Sequence, residues 1–398
     1  MTAPGVQGHC DSAFGAVRDA FEENFARGEE FGAALAVYQE DDLVVDLWGG
    51  VADRHTGRAW LQDTPCVAFS CTKAVTAAAA LRLAEQGRYD MDGPVADWWP
   101  EFAAHGKENA TAAHLLSHQA GLPVLDTACT AEEAADPADV AGRLAAQPPM
   151  WTPGTAHGYH ALTYGWLAGE IVRRIDGRPV GEYARAEFTG DLDLWIGAPD
   201  EVIERAARLT AKRPGGTDGK VGGAVGGAVG GAVGEGPRTQ LISAYLDPNS
   251  MLNRAMGNPA TGKGGHNNPV VMRGGWPASG MVTTAPALAG FYRDLVAGRI
   301  VRADTLSEAI KPRVTGPDRV LVADSAFGLG FMRPALMFMV PPGARDDAFG
   351  HSGVGGSIGL GDVGRGLAMA YVMNRLSDQV SRDLRAYRLI DAVYEALS

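Results

Sequence analysis

Phe69-Ser70-Cys71-Thr72-Lys73 places a hydroxyl and an amine three residues apart at the start of a helix. An apolar run ends at Ala68-Phe69, and Lys73-Ala74-Val75-Thr76-Ala77-Ala78-Ala79-Ala80-Leu81 has the composition of a buried helix. Positions i and i+3 share a helix face, so the Ser70 hydroxyl and the Lys73 amine can meet without any distant contact. Burial and proximity to the helix N-terminus both lower a lysine pKa. A neutral lysine can then take the proton of a serine nucleophile. The four-residue pattern alone is weak, since Ser-x-x-Lys arises by chance in many chains of this length. Its weight comes from its position and its company.

At 398 residues the chain exceeds the usual single-domain range, and two interleaved domains are expected. Its 46% hydrophobic and 21% charged residues have the balance of a globular protein with a large core. A formal net charge of −12 argues against a nucleic-acid surface and against an anionic membrane. No uninterrupted apolar run approaches the ~20 residues that span a bilayer. Residues 1–8 lack a basic region followed by an apolar core, so no signal peptide and a cytoplasmic location are expected. Cys10, Cys66, Cys71 and Cys129 show no paired or metal-type spacing and are expected to be free thiols.

An amphipathic helix is expected over 12–27, then strands over 32–38 and 43–48 joined by a turn at 40–42. The nucleophile helix should run to about Gln86 and stop at Gly87. From there to about residue 285 the pattern is helical with long loops, with clear helices at 111–118, 131–146 and 161–175. A helix over 286–296 carries proline at its first position. Strand signals return at 327–332, 356–361 and 367–373, and a last amphipathic helix covers 378–397. Strands at both ends with helices between them predict an α+β protein. Residues 1–95 and 285–398 would build one antiparallel sheet domain, and 96–284 a mostly helical one. Gly222-Gly223-Ala224-Val225, repeated through residue 233, marks a glycine-rich loop near 215–236. A slippage-expanded surface loop is favoured there over a mobile lid.

Two further stretches bear on chemistry. In Pro153-Gly154-Thr155-Ala156-His157-Gly158-Tyr159-His160-Ala161, a tyrosine at a loop-to-helix junction can project its phenol into a cleft and share a proton relay with Lys73. Taken alone, a core tyrosine is the more ordinary interpretation. In Phe349-Gly350-His351-Ser352-Gly353-Val354-Gly355-Gly356-Ser357, glycines beside a strand edge permit close approach of a substrate and an N–H donor for an oxyanion. Gly359-Leu360-Gly361-Asp362-Val363-Gly364 imitates a dinucleotide fingerprint but separates two strand-like runs and fits a hairpin turn. Residues 257–264 nearly match a phosphate-binding loop, with Gly264 where Ser or Thr is required. His114 and His118 stand at i, i+4, but Leu115 replaces the metalloprotease glutamate, and no metal is expected.

Together these stretches resemble the serine β-lactamase and penicillin-binding-protein superfamily, most closely its cytosolic carboxylesterase branch, the family VIII, class C β-lactamase-like esterases. The resemblance covers nearly the whole chain. It includes Leu47-Trp48-Gly49-Gly50-Val51-Ala52-Asp53, Leu115-Leu116-Ser117-His118-Gln119-Ala120-Gly121-Leu122-Pro123, Tyr164-Gly165-Trp166-Leu167 and Tyr371-Val372-Met373-Asn374-Arg375. It implies a β-lactamase-like fold with Ser70 as acylated nucleophile, Lys73 as its base partner and Tyr159 in place of the family's Tyr-x-Asn tyrosine. His351-Ser352-Gly353 takes the place of the Lys-Thr-Gly motif, and the N–H groups of Ser70 and Val354 would form the oxyanion hole. The family's asparagine is Ala161 here and its Lys-Thr-Gly lysine is His351, which weakens recognition of an anionic amide and favours an uncharged ester. A carboxylesterase without cofactor, acting on a small-molecule ester, is therefore expected. The alternatives are an acyltransferase using the same acyl-enzyme, a β-lactamase or D-peptidase, and a catalytically silent binding protein. The oligomeric state stays open.

Overall fold

Strands Gly32–Gln39 and Leu367–Met373 are apolar at nearly every position rather than at alternate ones, and nearly every residue in them is buried. Strands of that kind belong in the middle of a sheet covered on both faces. In the computed structural model, which describes residues 5–211, 243–244, 246–377 and 384–398, the two are antiparallel neighbours. Asp42–Asp53 and then Gln7–Cys10 extend the sheet on one side, and Ile358–Asp362 and then Ala348–Ser352 extend it on the other. Every pair along this path is antiparallel, so one β-lactamase-like sheet is assembled from the two ends of the chain. Ala348–Ser352 is its edge strand, and it carries His351 to the mouth of the nucleophile turn.

Helix Ala285–Val296 packs on the central strands. The Thr284 hydroxyl accepts from the Ala287 N–H, so Pro286 falls at the second helical position rather than the first, where its missing N–H is equally harmless. The nucleophile helix Thr72–Glu85 is buried on all sides through its first ten residues and packs against helix Thr163–Asp176. No helix among the described residues is long and apolar enough to cross a membrane.

Several segments differ from expectation for identifiable reasons. The expected strand at 327–332 is the end of strand Asp324–Phe327 followed by a bend. Gly330 sits at φ +85°, and a Cβ there would come within 2.2 Å of the Ala77 Cβ, so the chain turns inward onto the nucleophile helix instead of extending. Asp324–Phe327 pairs with Val314–Pro317 in a hairpin that the sequence did not announce. The expected helix over 131–146 is two pieces, Glu133–Ala135 and Pro137–Ala146, because Asp136 is extended before Pro137 and caps the second piece by accepting from Ala138 N–H. Inside the nominally helical stretch, Leu194–Trp195 and Val282–Thr283 pair with Cys66–Val67's sheet as two-residue strands, too short to leave a periodic signature. The glycine-rich repeat and residues 378–383 of the last expected helix lie outside the described residues; the described helix there is Arg385–Ala396.

Asn374, fully buried, ties the two ends of the chain together. Its side-chain oxygen accepts from Gly32 N–H at 3.0 Å, and its amide donates to Val51 O at 2.9 Å and Ala52 O at 3.0 Å. Asn374→Ala removes these bonds from Gly32 N–H and Val51 O, whereas Ala52 O keeps the Arg208 N–H at 2.7 Å. Urea unfolding is expected to show a loss of about 2–4 kcal/mol. A loss below roughly 0.5 kcal/mol would show that the sheet relaxes around the change.

Candidate active site

Ser70 lies in the turn Phe69–Cys71 that feeds directly into helix Thr72–Glu85. The turn is pinned from three directions. Ala68 N–H donates to Met281 O at 3.0 Å, the Ser357 hydroxyl donates to Ala68 O at 3.1 Å, and the Thr72 hydroxyl donates to Phe69 O at 2.5 Å while accepting from Met281 N–H at 3.0 Å. These bonds hold Phe69 at φ +48°, a left-handed conformation costly for a bulky residue and found mainly where structure is over-determined.

Lys73 has no exposed surface, and no acidic side chain among the described residues pairs with it. Its amine donates to Ala161 O at 2.7 Å and Ala278 O at 3.1 Å and stands 3.4 Å from the Ser70 Oγ. Burial of an unpaired ammonium drives its pKa well below the usual lysine value. A neutral amine has two hydrogens and one lone pair. The two carbonyls take the hydrogens, which leaves the lone pair for the Ser70 hydroxyl proton.

Tyr159 sits in the loop before helix Thr163–Asp176, almost fully buried, with its ring 4.8 Å from the Lys73 Nζ. Burial raises the phenol pKa above its ordinary value, and the Ser70 hydroxyl it faces offsets part of that rise. Phe327 stacks on one side of the ring, with centroids 5.9 Å apart and planes 11° from parallel. Ser70, Lys73 and Tyr159 therefore converge.

Gly353 backs onto the nucleophile turn so closely that a Cβ would fall 2.6 Å from Ala68 O and 2.2 Å from the Ser357 Oγ. Val354 opens the turn that follows, with its side chain exposed. The first N–H groups of a helical turn have no acceptor within it, and Ser70 and Val354 both stand near such a start. His351 is fully buried, 6.1 Å from the Tyr159 ring between centroids. Its Nδ1 lies 2.7 Å from Ser352 O and must carry the proton, so Nε2 presents a lone pair and has no partner among the described residues.

The sequence matches the beta-lactamase family model over residues 17–394. The chain belongs to the beta-lactamase family. It is 32% identical over 384 residues to the esterase/beta-lactamase LipL of Mycobacterium tuberculosis (strain ATCC 25618 / H37Rv), covering 93% of this chain and 83% of LipL. A crystal structure of a family VIII carboxylesterase superposes with a TM-score of 0.82 at 32% identity, covering 98% of this chain and 99% of that one. A penicillin-binding-protein homologue from Caulobacter crescentus superposes with a TM-score of 0.81 at 37% identity, over the same shares of the two chains. These likenesses support serine hydrolase activity.

What this beta-lactamase-family site adds beyond the sequence motifs is a shell of neutral histidines. His118, which the sequence placed in a helix-ending turn, adopts φ +63° and packs its ring 5.0 Å from Tyr159 and 4.3 Å from Phe327. Its Nδ1 accepts from His160 N–H at 3.1 Å. His160 donates from Nδ1 to Gly158 O at 2.7 Å and accepts at Nε2 from Leu122 N–H at 3.0 Å. His114 caps its own helix by accepting from Thr111 N–H. Among the described residues no group of three or more His, Cys, Asp or Glu is placed to hold a metal ion.

Burial pushes His160 and His351 down to about 3, and His118 well below its usual value; the Lys73 charge, when present, adds to all three. An unfolded histidine binds its proton below about 6.5, while these do not until far lower. Between those limits the unfolded state holds more protons, so stability falls as pH drops from about 6.5 toward 3. Each histidine contributes up to roughly 1.4 kcal/mol per pH unit. Denaturant midpoints at pH 7.5 and 5 are expected to differ markedly, and His160→Gln should flatten that dependence. Equal midpoints at the two pH values would show that these rings are protonated in the native state.

Proposed function

We propose that this protein hydrolyses carboxylic esters of small uncharged substrates through an acyl-enzyme on Ser70, as a family VIII-type carboxylesterase in a reducing, cytoplasmic setting. The observation that carries this is the fully buried Lys73 amine, held by the Ala161 and Ala278 carbonyls 3.4 Å from the Ser70 Oγ, where burial lowers its pKa and so favours the neutral base. Lys73 takes the Ser70 proton as the oxygen attacks the ester carbonyl. The Tyr159 phenol, whose raised pKa keeps it protonated, relays that proton to the leaving alkoxide. The N–H groups of Ser70 and Val354 receive the oxyanion, with Gly353 allowing the strand edge to stand close enough. Water then enters by the reverse relay and releases the acid.

An ester rather than an anionic amide is favoured by the charges at the site. His351 is neutral where the family's third motif has lysine, and Ala161 offers a methyl group in place of an amide side chain. The four unpaired cysteines suit a compartment where thiols persist. β-Lactam hydrolysis is the second reading, favoured by the likeness to LipL, which is named for both activities.

Intact-mass spectrometry after brief exposure to p-nitrophenyl acetate or butyrate is expected to show an acyl adduct, or rapid nitrophenol release, absent from Ser70→Ala. Lys73→Ala and Tyr159→Phe should each lose roughly 100- to 10,000-fold in kcat/KM. Activity requires neutral Lys73, so kcat/KM should rise with pH through a midpoint well under the ordinary lysine pKa and fall below it. Full turnover by Ser70→Ala would overturn the assignment. Nitrocefin cleaved faster than either ester would favour the second reading.

A further inference from the structure

The hairpin of Val314–Pro317 and Asp324–Phe327 closes on a loop whose first residue, Asp318, is buried at 3% exposure and forms no ion pair among the described residues. Its carboxylate is instead surrounded by donors. Oδ1 accepts from Tyr159 N–H at 3.0 Å, Val320 N–H at 2.8 Å and Leu321 N–H at 2.9 Å, and Oδ2 accepts the Ser325 hydroxyl proton at 2.9 Å. Since that proton goes to Asp318, the Ser325 oxygen can only accept from His157, whose Nε2 lies 3.1 Å away. A second strap runs beside the first, with Arg319 N–H donating to His157 O at 3.2 Å. Gly158 lies flush on the same loop, where a Cβ would meet Val320 Cγ2 at 3.0 Å and Arg319 Cβ at 3.3 Å. The hairpin's last residue, Phe327, is the ring stacked on Tyr159.

We infer that Asp318 is a positioning residue for the reaction, holding the 157–161 loop through Tyr159 N–H and through Ser325 and His157 so that the phenol meets Ser70. The inference rests on the proton-relay role proposed for Tyr159. It goes further in naming a carboxylate that touches neither substrate nor the reacting atoms and acts through the tyrosine. The same clasp sets the Ala161 carbonyl, two residues on, against the Lys73 amine. A charged carboxylate suits this work because it accepts four donors at once and each bond to it is stronger than one to a neutral oxygen. Freed of it, the loop has a small displacement available to it, and misplacement by about 1 Å costs on the order of 100-fold in rate.

The test is a double-mutant cycle on p-nitrophenyl acetate hydrolysis with Asp318→Ala, Tyr159→Phe and the pair, each checked for folding by thermal unfolding. Asp318→Ala is expected to lower kcat roughly 10- to 100-fold with KM within about threefold. In the Tyr159→Phe background the same change should cost at least about threefold less than in the wild type, because the phenol it positions is gone and only the Ala161 carbonyl is left to misplace. Asp318→Asn keeps an acceptor for Tyr159 N–H and should recover most of the rate; if the alanine variant does not fold, Ser325→Ala, which cuts the limb from Asp318 to His157, takes its place in the cycle. Equal losses in both backgrounds would reduce Asp318 to a structural residue and overturn the inference. Wild-type rates in Tyr159→Phe alone would instead overturn the relay role of the tyrosine.

Discussion

The Lys73 amine, enclosed by the carbonyls of Ala161 and Ala278, is the constraint on which the rest of the site depends. A charged ammonium in that position would be desolvated with no counter-ion, at a cost of several kcal/mol. The neutral form meets the surroundings with both hydrogens satisfied and one lone pair aimed at Ser70. Those carbonyls come from segments 88 and 205 residues along the chain. The surroundings that lower the Lys73 pKa are thus set by tertiary structure, although the Ser-x-x-Lys spacing is local. The packing that delivers Ala278 is tight: a Cβ on Gly165 would lie 2.6 Å from Ala278 N, so helix Thr163–Asp176 approaches the Pro277-Ala278 backbone at a glycine. Thr76, one turn along the nucleophile helix, fixes the neighbouring Pro277 O at 2.6 Å.

Electrostatically the surroundings of Ser70 and Lys73 are dominated by buried histidines. His118, His160 and His351 are all buried and all held neutral, and each would raise the cost of a proton on Lys73 if it became charged. Mutual exclusion of charge works in both directions: Lys73 lowers the histidines, and neutral histidines spare Lys73 further repulsion. A substrate carboxylate would find no fixed cation among these groups, which supports the ester reading over that of an anionic amide. The likeness to both a family VIII carboxylesterase and a penicillin-binding-protein homologue is compatible with this, since one fold can host different substrate chemistries.

How much of this was legible in the sequence follows from the range of each interaction. Ser70 and Lys73 were readable because one helical turn brings them together whatever the rest of the chain does. Tyr159 and the 351–354 stretch were readable only by resemblance, since nothing local distinguishes a cleft tyrosine from a core one. The central strands 32–39 and 367–373 announced themselves by unbroken apolar runs. The segment 327–332 misled because Phe327, Leu329 and Phe331 alternate as a strand would, while Gly328 and Gly330 are there for contact with Ala309 O and Ala77. Ala278 could not be found, because a backbone carbonyl has no signature in side-chain identity. Asp318 was equally silent, since Gly-Pro-Asp is ordinary turn chemistry.

The 157–161 loop has a consequence that neither motif shows alone. Within five residues it supplies the Tyr159 phenol, proposed to relay the proton, and the Ala161 carbonyl, which holds the amine proposed to receive it first. A displacement of this loop therefore moves donor and acceptor together. If Ala161 O withdraws, the Lys73 amine loses a hydrogen-bond partner that holds it beside Ser70; if Tyr159 moves, the proposed relay loses its acid. Two fixtures prevent this. His118 and His160 brace the loop from the helical side through His160 N–H and Gly158 O, and the Asp318 hairpin braces it from the other through Tyr159 N–H and His157. The placement of the Tyr159 phenol and the Ala161 carbonyl is in this way decided by groups on both sides of the loop.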